Sequence, residues 1–512
     1  MADDLKRKRA GGRSGHAERA GHRAIDQMPW RIPQNYDRPT EPLGPEGIEA
    51  IHKGAMRVLK DIGIRFLNDE ALAIFAKAGC KVDGQTVRMD EDFVMEMLAR
   101  APAEFTVTPR NPDRAIPFGG KALLFGNVSS PPNYWDLERG KVSGFMEGFR
   151  TFIKLTQYFN CIHFAGGYPV EPIEIHPSVR HLDCLYEKLT LTDKVCHAYS
   201  LGKERVEDAM EMVRIAGGLS LDEFHAQPRM FTNINSVSPL KHDFPMIDGA
   251  LRLARAGQVV VVTPFTLAGA MAPVTMAGAV TLSIAEALSA IALLQFVKPG
   301  APCMIGTFTS NVDMKSGAPA FGTPEYARAA LAGGQLARRY GIPYRSSNAN
   351  ACTIVDAQAA YESEMSVWSA VMGHANLVMH AAGWMEGGLV ASFEKMVVDA
   401  EILQMMAEFL KPIEVTEETM GISAMEEVGP GGHYFGAAHT LERYETAFYS
   451  PILSDWRNFE TWRLDGAKTA FDRANAIYKE LLAAYEPPPI DPGIDEALKD
   501  YMTRRKAEPI AA

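Results

Sequence analysis

Val259-Val260-Val261-Val262-Thr263-Pro264-Phe265 is the stretch that decides the fold. Four valines in a row have no polar face, which is the pattern of a parallel strand buried on both sides. Working outward, short apolar or β-branched runs of this kind recur from about Leu123 at intervals of roughly 30–45 residues, the spacing of βα units. There are eight, at residues 123–128, 162–167, 195–200, 230–236, 259–265, 302–309, 343–347 and 377–381. Helix-like segments lie between them, at 149–158, 206–215, 246–254, 277–296, 325–339 and 361–372. Eight units in succession predict an α/β chain folded as a (β/α)8 TIM barrel at residues 116–400, with a doubly wound open sheet as the rival.

The barrel carries additions at both ends. Residues 1–45 read as a basic, proline-containing arm, from Lys6-Arg7-Lys8-Arg9 through Arg13, Arg19 and Arg23. Ile48, Ile51, Ala55, Val58, Leu59 and Ile62 recur at helical steps and open a helical segment at 46–115. After the eighth run, 397–410 and 461–485 predict a C-terminal helical extension at 401–486. Pro487-Pro488-Pro489 ends it and begins a tail at 487–512.

The chain has 512 residues, 52 Lys and Arg against 63 Asp and Glu, 47% hydrophobic and 22% charged residues. This composition excludes disorder along most of its length. A net charge of −11 argues against nucleic acid as the main partner. No uninterrupted apolar stretch reaches the ~18–20 residues of a membrane span and no secretory h-region opens the chain, so a cytoplasmic protein without membrane contact is expected. Six scattered cysteines read as reduced thiols.

In such a barrel the functional groups gather where the βα loops converge at the C-terminal ends of the strands. Asn233 and Asn235 share a parity, so both face the lumen, either in a buried amide network or against substrate. His380 closes the last apolar run, as a satisfied core residue or a functional one. Thr323-Pro324-Glu325 reads as a helix start, with Glu325 placed against the helix dipole or in the mouth. The glycine-rich stretch with Gly431, Gly432 and His433 suits a flap over the mouth. The histidines show no zinc spacing, and no Gly-x-Ser-x-Gly or Gly-x-Gly-x-x-Gly motif appears.

At these residues the sequence resembles the trimethylamine:corrinoid methyltransferase superfamily. The likeness rests on VVVTPFTLAGAMAP (260–273), SNVDMKSGAPAFGTPEY (310–326), DAQAAYE (356–362), HAAGWMEGG (380–388), EVGPGGHYFG (427–436) and DGAKTAFDRA (465–474), and spans nearly the whole chain. It implies a TIM barrel that moves a methyl group from a methylated amine to the Co(I) of a separate corrinoid protein, with no cofactor held tightly by this chain and no resident metal. Founding members carry pyrrolysine in the stretch matching residues 346–355, which here reads SSNANACTIV. The resemblance is therefore to pyrrolysine-free, glycine betaine methyltransferase-like members.

A quaternary ammonium is already cationic, so its amine departs neutral without proton management. Its recognition calls for aromatic faces, and a betaine carboxylate calls for donors. Tyr134, Trp135, Tyr168, Phe265, Tyr361 and Trp384 are candidates for the first task; Arg345, Asn233, Asn235 and His380 for the second. His380 and Asn235 are the candidate catalytic pair; Asn233, Arg345, Tyr361, Trp384, Phe265, Tyr168 and Glu325 the candidate substrate contacts; Gly431, Gly432 and His433 a flap or corrinoid-protein contact. The partners expected are a corrinoid protein, a small quaternary amine and possible further copies of the chain. Trimethylamine or another methylated amine as donor, and a barrel that binds betaine without turnover, stay open.

Overall fold

The computed structural model describes residues 25–508, so the basic stretch from Lys6 to Arg23 lies outside the described residues. Eight strands close into one parallel barrel: Leu124–Asn127 (β1), Phe164–Ala165 (β2), Val195–His197 (β3), Met230–Ile234 (β4), Val259–Val262 (β5), Cys303–Gly306 (β6), Tyr344–Ser347 (β7) and Leu377–Ala382 (β8). The order around it is β3-β4-β5-β6-β7-β8-β1-β2. Each lies within or overlaps one of the eight runs, and the open-sheet alternative falls. The four valines of β5 are fully buried between lumen and helices, as their missing polar face requires.

A helix follows each strand: Met146–Tyr158 (α1), Arg180–Leu191 (α2), Lys203–Ala216 (α3), Phe244–Arg255 (α4), Met276–Val297 (α5), Pro324–Tyr340 (α6), Ala357–Met372 (α7) and Phe393–Phe409 (α8). Helix α5 is long and apolar enough to cross a membrane by length and composition, with a mean hydropathy of 1.8 over its most apolar window, yet 83% of that window is buried in the body of the protein. Its one acid, Glu286, is fully buried and accepts hydrogen bonds from Ser236, Ser238 and the Leu240 amide.

The lumen is filled from alternate positions. Val195, Phe231, Val261, Met304 and Met379 share one apolar cluster with Val107, Ile116 and Phe118, which come from the antiparallel hairpin Glu104–Val107/Ile116–Gly119. That hairpin leads directly into β1 and so plugs the end where the strands start. Gly126 permits close packing inside, because a Cβ there would stand 2.0 Å from the Phe164 ring.

Three expectations about the additions change. The segment at 46–115 has helices at Pro45–Arg57, Asp69–Lys77 and Glu91–Leu98, but also short strands at Ile64–Phe66, Lys81–Asp83 and Thr86–Arg88. Asp83 and Gly84 begin the tight turn of this hairpin, and Ile64–Phe66 pairs in parallel with Lys241–His242, which sews the segment to the barrel. The tail at 487–512 contains a helix, Pro492–Ala507, started by the Asp491 carboxylate accepting from the Gly493 and Ile494 amides with proline at the first turn. It packs on α2 and α3. The helix expected over 461–485 is interrupted at Gly466 and Ala467, both with positive φ, and resumes at Ala470–Ala483 against α8.

Candidate active site

Above the apolar cluster the inward parity continues with polar residues. His197 follows Val195 by two, Asn233 follows Phe231, and Thr263 follows Val261, so these side chains form a polar floor to the barrel mouth. The amides close a ring of hydrogen bonds. Thr263 Oγ1 donates to Asn233 Oδ1 at 2.7 Å, Asn233 Nδ2 to Asn235 Oδ1 at 3.2 Å, and Asn235 Nδ2 back to the Thr263 carbonyl at 2.7 Å. The Asn233 amide N–H donates to His197 Nε2 at 3.1 Å. That bond puts the His197 proton on Nδ1, which is buried and has no partner. Burial, with Lys188, His380 and Arg345 nearby, holds His197 well below the usual imidazole range and so neutral.

Over this floor lies a cavity of about 450 Å³, lined by His197, Asn233, Asn235, Arg345, His380 and the rings of Tyr168, Tyr199, Phe265 and Phe308. Arg345 stands second in β7 and is 3% exposed. Its Nε and Nη1 are buried without any partner, and its guanidinium lies 5.5 Å from the Phe308 ring centroid. Burial brings its pKa down to about 10, so it remains a cation at neutral pH. An unpaired buried charge costs several kcal/mol unless an opposite charge joins it. Around it the aromatic rings pack edge and face: Tyr168 meets Tyr199 at 4.8 Å nearly perpendicular, and Phe265 stacks on Phe308 at 5.2 Å. Glu171 in the loop after β2, ion-paired with Arg180 of α2 at 2.9 Å, and Arg205 in the first turn of α3 line the cavity farther out.

His380 owes its place to a break in β8. Its φ is +55°, and the register between β8 and β1 shifts between Val378 and Ala382. A left-handed non-glycine residue at a bulge re-aims a side chain at a cost of order 1–3 kcal/mol. The surroundings hold it there: Asn348 Nδ2 donates to the Ala381 carbonyl, and the Gly383 amide donates to Asp399, itself bound by the buried Lys395 and Ser363. The ring stacks on Trp384 at 5.6 Å, and its Nδ1 lies 3.3 Å from Ser129 Oγ. Burial first and Arg345 second lower its pKa to about 3, so it is neutral.

The structure therefore brings together Asn233, Asn235, Arg345, His380, Tyr168 and Phe265, as the sequence predicts. It does not do so for the rest. Trp384 is buried behind His380 and supports that ring without lining the cavity. Tyr361 is 61% exposed on the outside of α7, because the helix turns that face from the barrel. Glu325 is exposed in the first turn of α6, where Thr323 caps the helix, and its role is the dipole one. Gly431, Gly432 and His433 are exposed and do not line the cavity. Tyr134 is buried against Phe393, and Trp135 packs on Phe471. His197, Tyr199, Phe308 and Ser129 also line the cavity and are not among the site residues predicted from the sequence. Strand parity carried the signal for His197, two residues after Val195.

The family model for trimethylamine methyltransferase (MTTB) matches residues 9–509. The chain belongs to the trimethylamine methyltransferase (MTTB) family. It is 36% identical to the glycine betaine methyltransferase of Desulfitobacterium hafniense strain Y51, over 91% of this chain and 97% of that one. Further relatives are the trimethylamine methyltransferase MttB of Desulfitobacterium hafniense strain DSM 10664 / DCB-2, 28% identical over 90% of this chain and 93% of that one, and the proline betaine:corrinoid methyltransferase of Eubacterium limosum, 24% identical over 89% and 96%. The crystal structure of the hydroxylamine MtmB complex shares the fold, with a TM-score of 0.50, 11% identity and coverage of 91% and 90%. This MTTB-family chain is a methyltransferase enzyme.

Proposed function

We propose that the chain takes a methyl group from a betaine and passes it to the reduced cobalt of a separate corrinoid protein that visits the mouth. One observation carries the substrate class: Arg345 is a buried cation at the cavity floor with two unpartnered donors. A carboxylate satisfies them, and the orphaned Nδ1–H of His197 lines the same cavity as a further donor. Trimethylamine has no anionic group and would leave Arg345 unpaired. The names of two relatives, acting on glycine betaine and proline betaine, support the same class.

With the carboxylate on the floor, the quaternary ammonium sits among the rings of Tyr168, Tyr199, Phe265 and Phe308, each face worth about 0.5–2 kcal/mol. Its N-methyl groups then face the open mouth. The corrinoid supplies the nucleophile. The protein contributes alignment in a site that excludes water, and the amine leaves neutral, so no side chain has to deliver a proton. His380, neutral and fixed by Ser129 and Trp384, orients the ammonium end and does not attack.

The test is optical: purified protein with reduced cobalamin, and with its corrinoid protein, is mixed with glycine betaine, proline betaine, carnitine, choline and trimethylamine while Co(I) is followed. Consumption of Co(I) with a betaine and not with trimethylamine supports the reading. Consumption with trimethylamine alone, or with none of the panel, overturns it.

A further inference from the structure

Two apolar surfaces of this chain have no cover among the described residues. The first is the excursion between α8 and Ile452. The chain leaves the barrel after Leu410 and returns where the Ile452 and Leu453 amides bond to Glu401 and Gln404 Nε2 donates to the Ser450 carbonyl. Within residues 411–448 only Gly421, Ala424 and Ala437 are buried. Ten large apolar side chains there are exposed, among them Ile413 at 92%, Phe435 at 86% and Phe448 at 87%. Local bonds such as Arg443 to Glu418 and Glu442 shape the excursion, but with three small buried residues it has no core of its own. Ordering so many residues without burial is unfavourable by roughly 1–2 kcal/mol for each residue's backbone. The glycine-rich stretch that reads as a flap in the sequence belongs to this arm.

The second surface is a stripe on the barrel wall. Tyr361, Met365 and Trp368 recur at four- and three-residue steps on α7, and Met405 and Phe409 at a four-residue step on α8; all five are exposed. The Trp368 and Phe409 rings touch at 5.1 Å and join the two helices into one patch. The arm begins two residues after Phe409 and still leaves the stripe bare.

We infer that residues 411–448 of each copy lie on the Tyr361–Trp368–Phe409 stripe of a second copy, in a two-fold arm exchange. The size fits. At roughly half of the 150–250 Å² an aromatic side chain can bury, the arm's four exposed rings supply about 300–500 Å², and its six exposed aliphatic side chains carry the total toward the ~800 Å² per partner of a stable interface. The exchange forms that contact twice. Charge fits a second copy as well. The arm carries seven glutamates against Lys411 and Arg443, while residues 1–24 carry seven Lys and Arg against three acids. Those basic residues join the body at Ile25 and Met28, where the Met28 amide bonds to Gln404 beside the root of the arm. A two-fold axis brings the acidic arm of one copy to that place on the other.

The test is sedimentation velocity of the full-length protein over a wide concentration range, with Phe435→Glu, Phe448→Glu and Trp368→Glu as variants. All three positions are exposed and outside the cavity, so Co(I) consumption with free cobalamin and the thermal melt report an intact barrel. The wild type is expected as a dimer or a larger even assembly, and each variant to self-associate at least about thirtyfold more weakly. A mixture of Phe435→Glu with Trp368→Glu should associate more tightly than either alone, because one intact arm meets one intact stripe. Wild-type monomer at every concentration overturns the inference, whether residues 1–24 or the corrinoid protein then cover the arm. So do variants that associate like the wild type, and a mixture no tighter than its components.

Discussion

Lys395 and Arg345 are both cations buried in the upper half of the same barrel, in opposite conditions. Lys395 is fully buried and donates to Asp399 and Ser363, and Asp399 also accepts from the Ser363 hydroxyl and the Gly383 amide. Arg345, one strand away, has no acid and two orphaned donors. The other fully buried cations among the described residues are not left bare: Lys188 is held by three backbone carbonyls, and Lys194 by those of Thr156 and Phe159. Arg110 also has two orphaned donors, but it is only partly buried and its Nη1 donates to the Pro489 carbonyl. On the proposed function, the fold completes the fully buried charges that serve structure and leaves Arg345 open for the carboxylate of the substrate.

That contrast breaks most visibly at Lys395. Lys395→Met strands Asp399 as a buried unpaired charge and should cost about 3–5 kcal/mol in chemical denaturation, whereas Lys395→Met with Asp399→Leu should regain most of it. Arg345→Met should do the reverse. Removing a buried cation that has no partner leaves the melting temperature unchanged or higher, while demethylation of a betaine falls by about 2–5 kcal/mol of transition-state stabilisation, at least thirtyfold in kcat/KM.

Smaller effects sharpen the picture of the cationic end. His380→Ala should lower turnover at least tenfold, about 1.4 kcal/mol, in a protein that stays folded; unchanged turnover removes the ring from the site. Phe308→Leu, which keeps bulk and loses the ring face, should weaken betaine binding by about 0.5–2 kcal/mol in calorimetry. The smallest expected effect is none. His380 becomes protonated only near its depressed pKa of about 3, and Arg345 loses its proton only near about 10, so betaine affinity should be flat between about pH 5 and 9. It should fall as the pH rises through 10. A step near pH 6.5 would show a titrating histidine instead.

The barrel was legible because its signal is repeated: four valines without a polar face, then seven further runs at βα spacing. The floor was half legible. Asn233, Asn235, Arg345 and His380 all close strand-like runs, but the orphaned His197 donor and the positive φ of His380 depend on neighbouring strands that no local pattern reveals. Tyr361 and Trp384 were misplaced because an aromatic after a strand looks the same whether the helix or short strand that carries it turns it toward the mouth, behind it or outward. The strands at 64–66, 81–83 and 86–88 were hidden because three residues give too little alternation to read. The stretch with Gly431 and Gly432 announced an irregular loop but not what it covers, which depends on where the arm leaves the barrel.

The central claim is that Arg345 waits for a carboxylate. The most direct measurement is calorimetric titration of glycine betaine and of choline, which share the trimethylammonium head, into the wild type and Arg345→Met. The wild type should prefer glycine betaine by at least thirtyfold, and Arg345→Met should abolish the preference. Equal affinity for both ligands in the wild type, or a preference that survives the substitution, would contradict that claim.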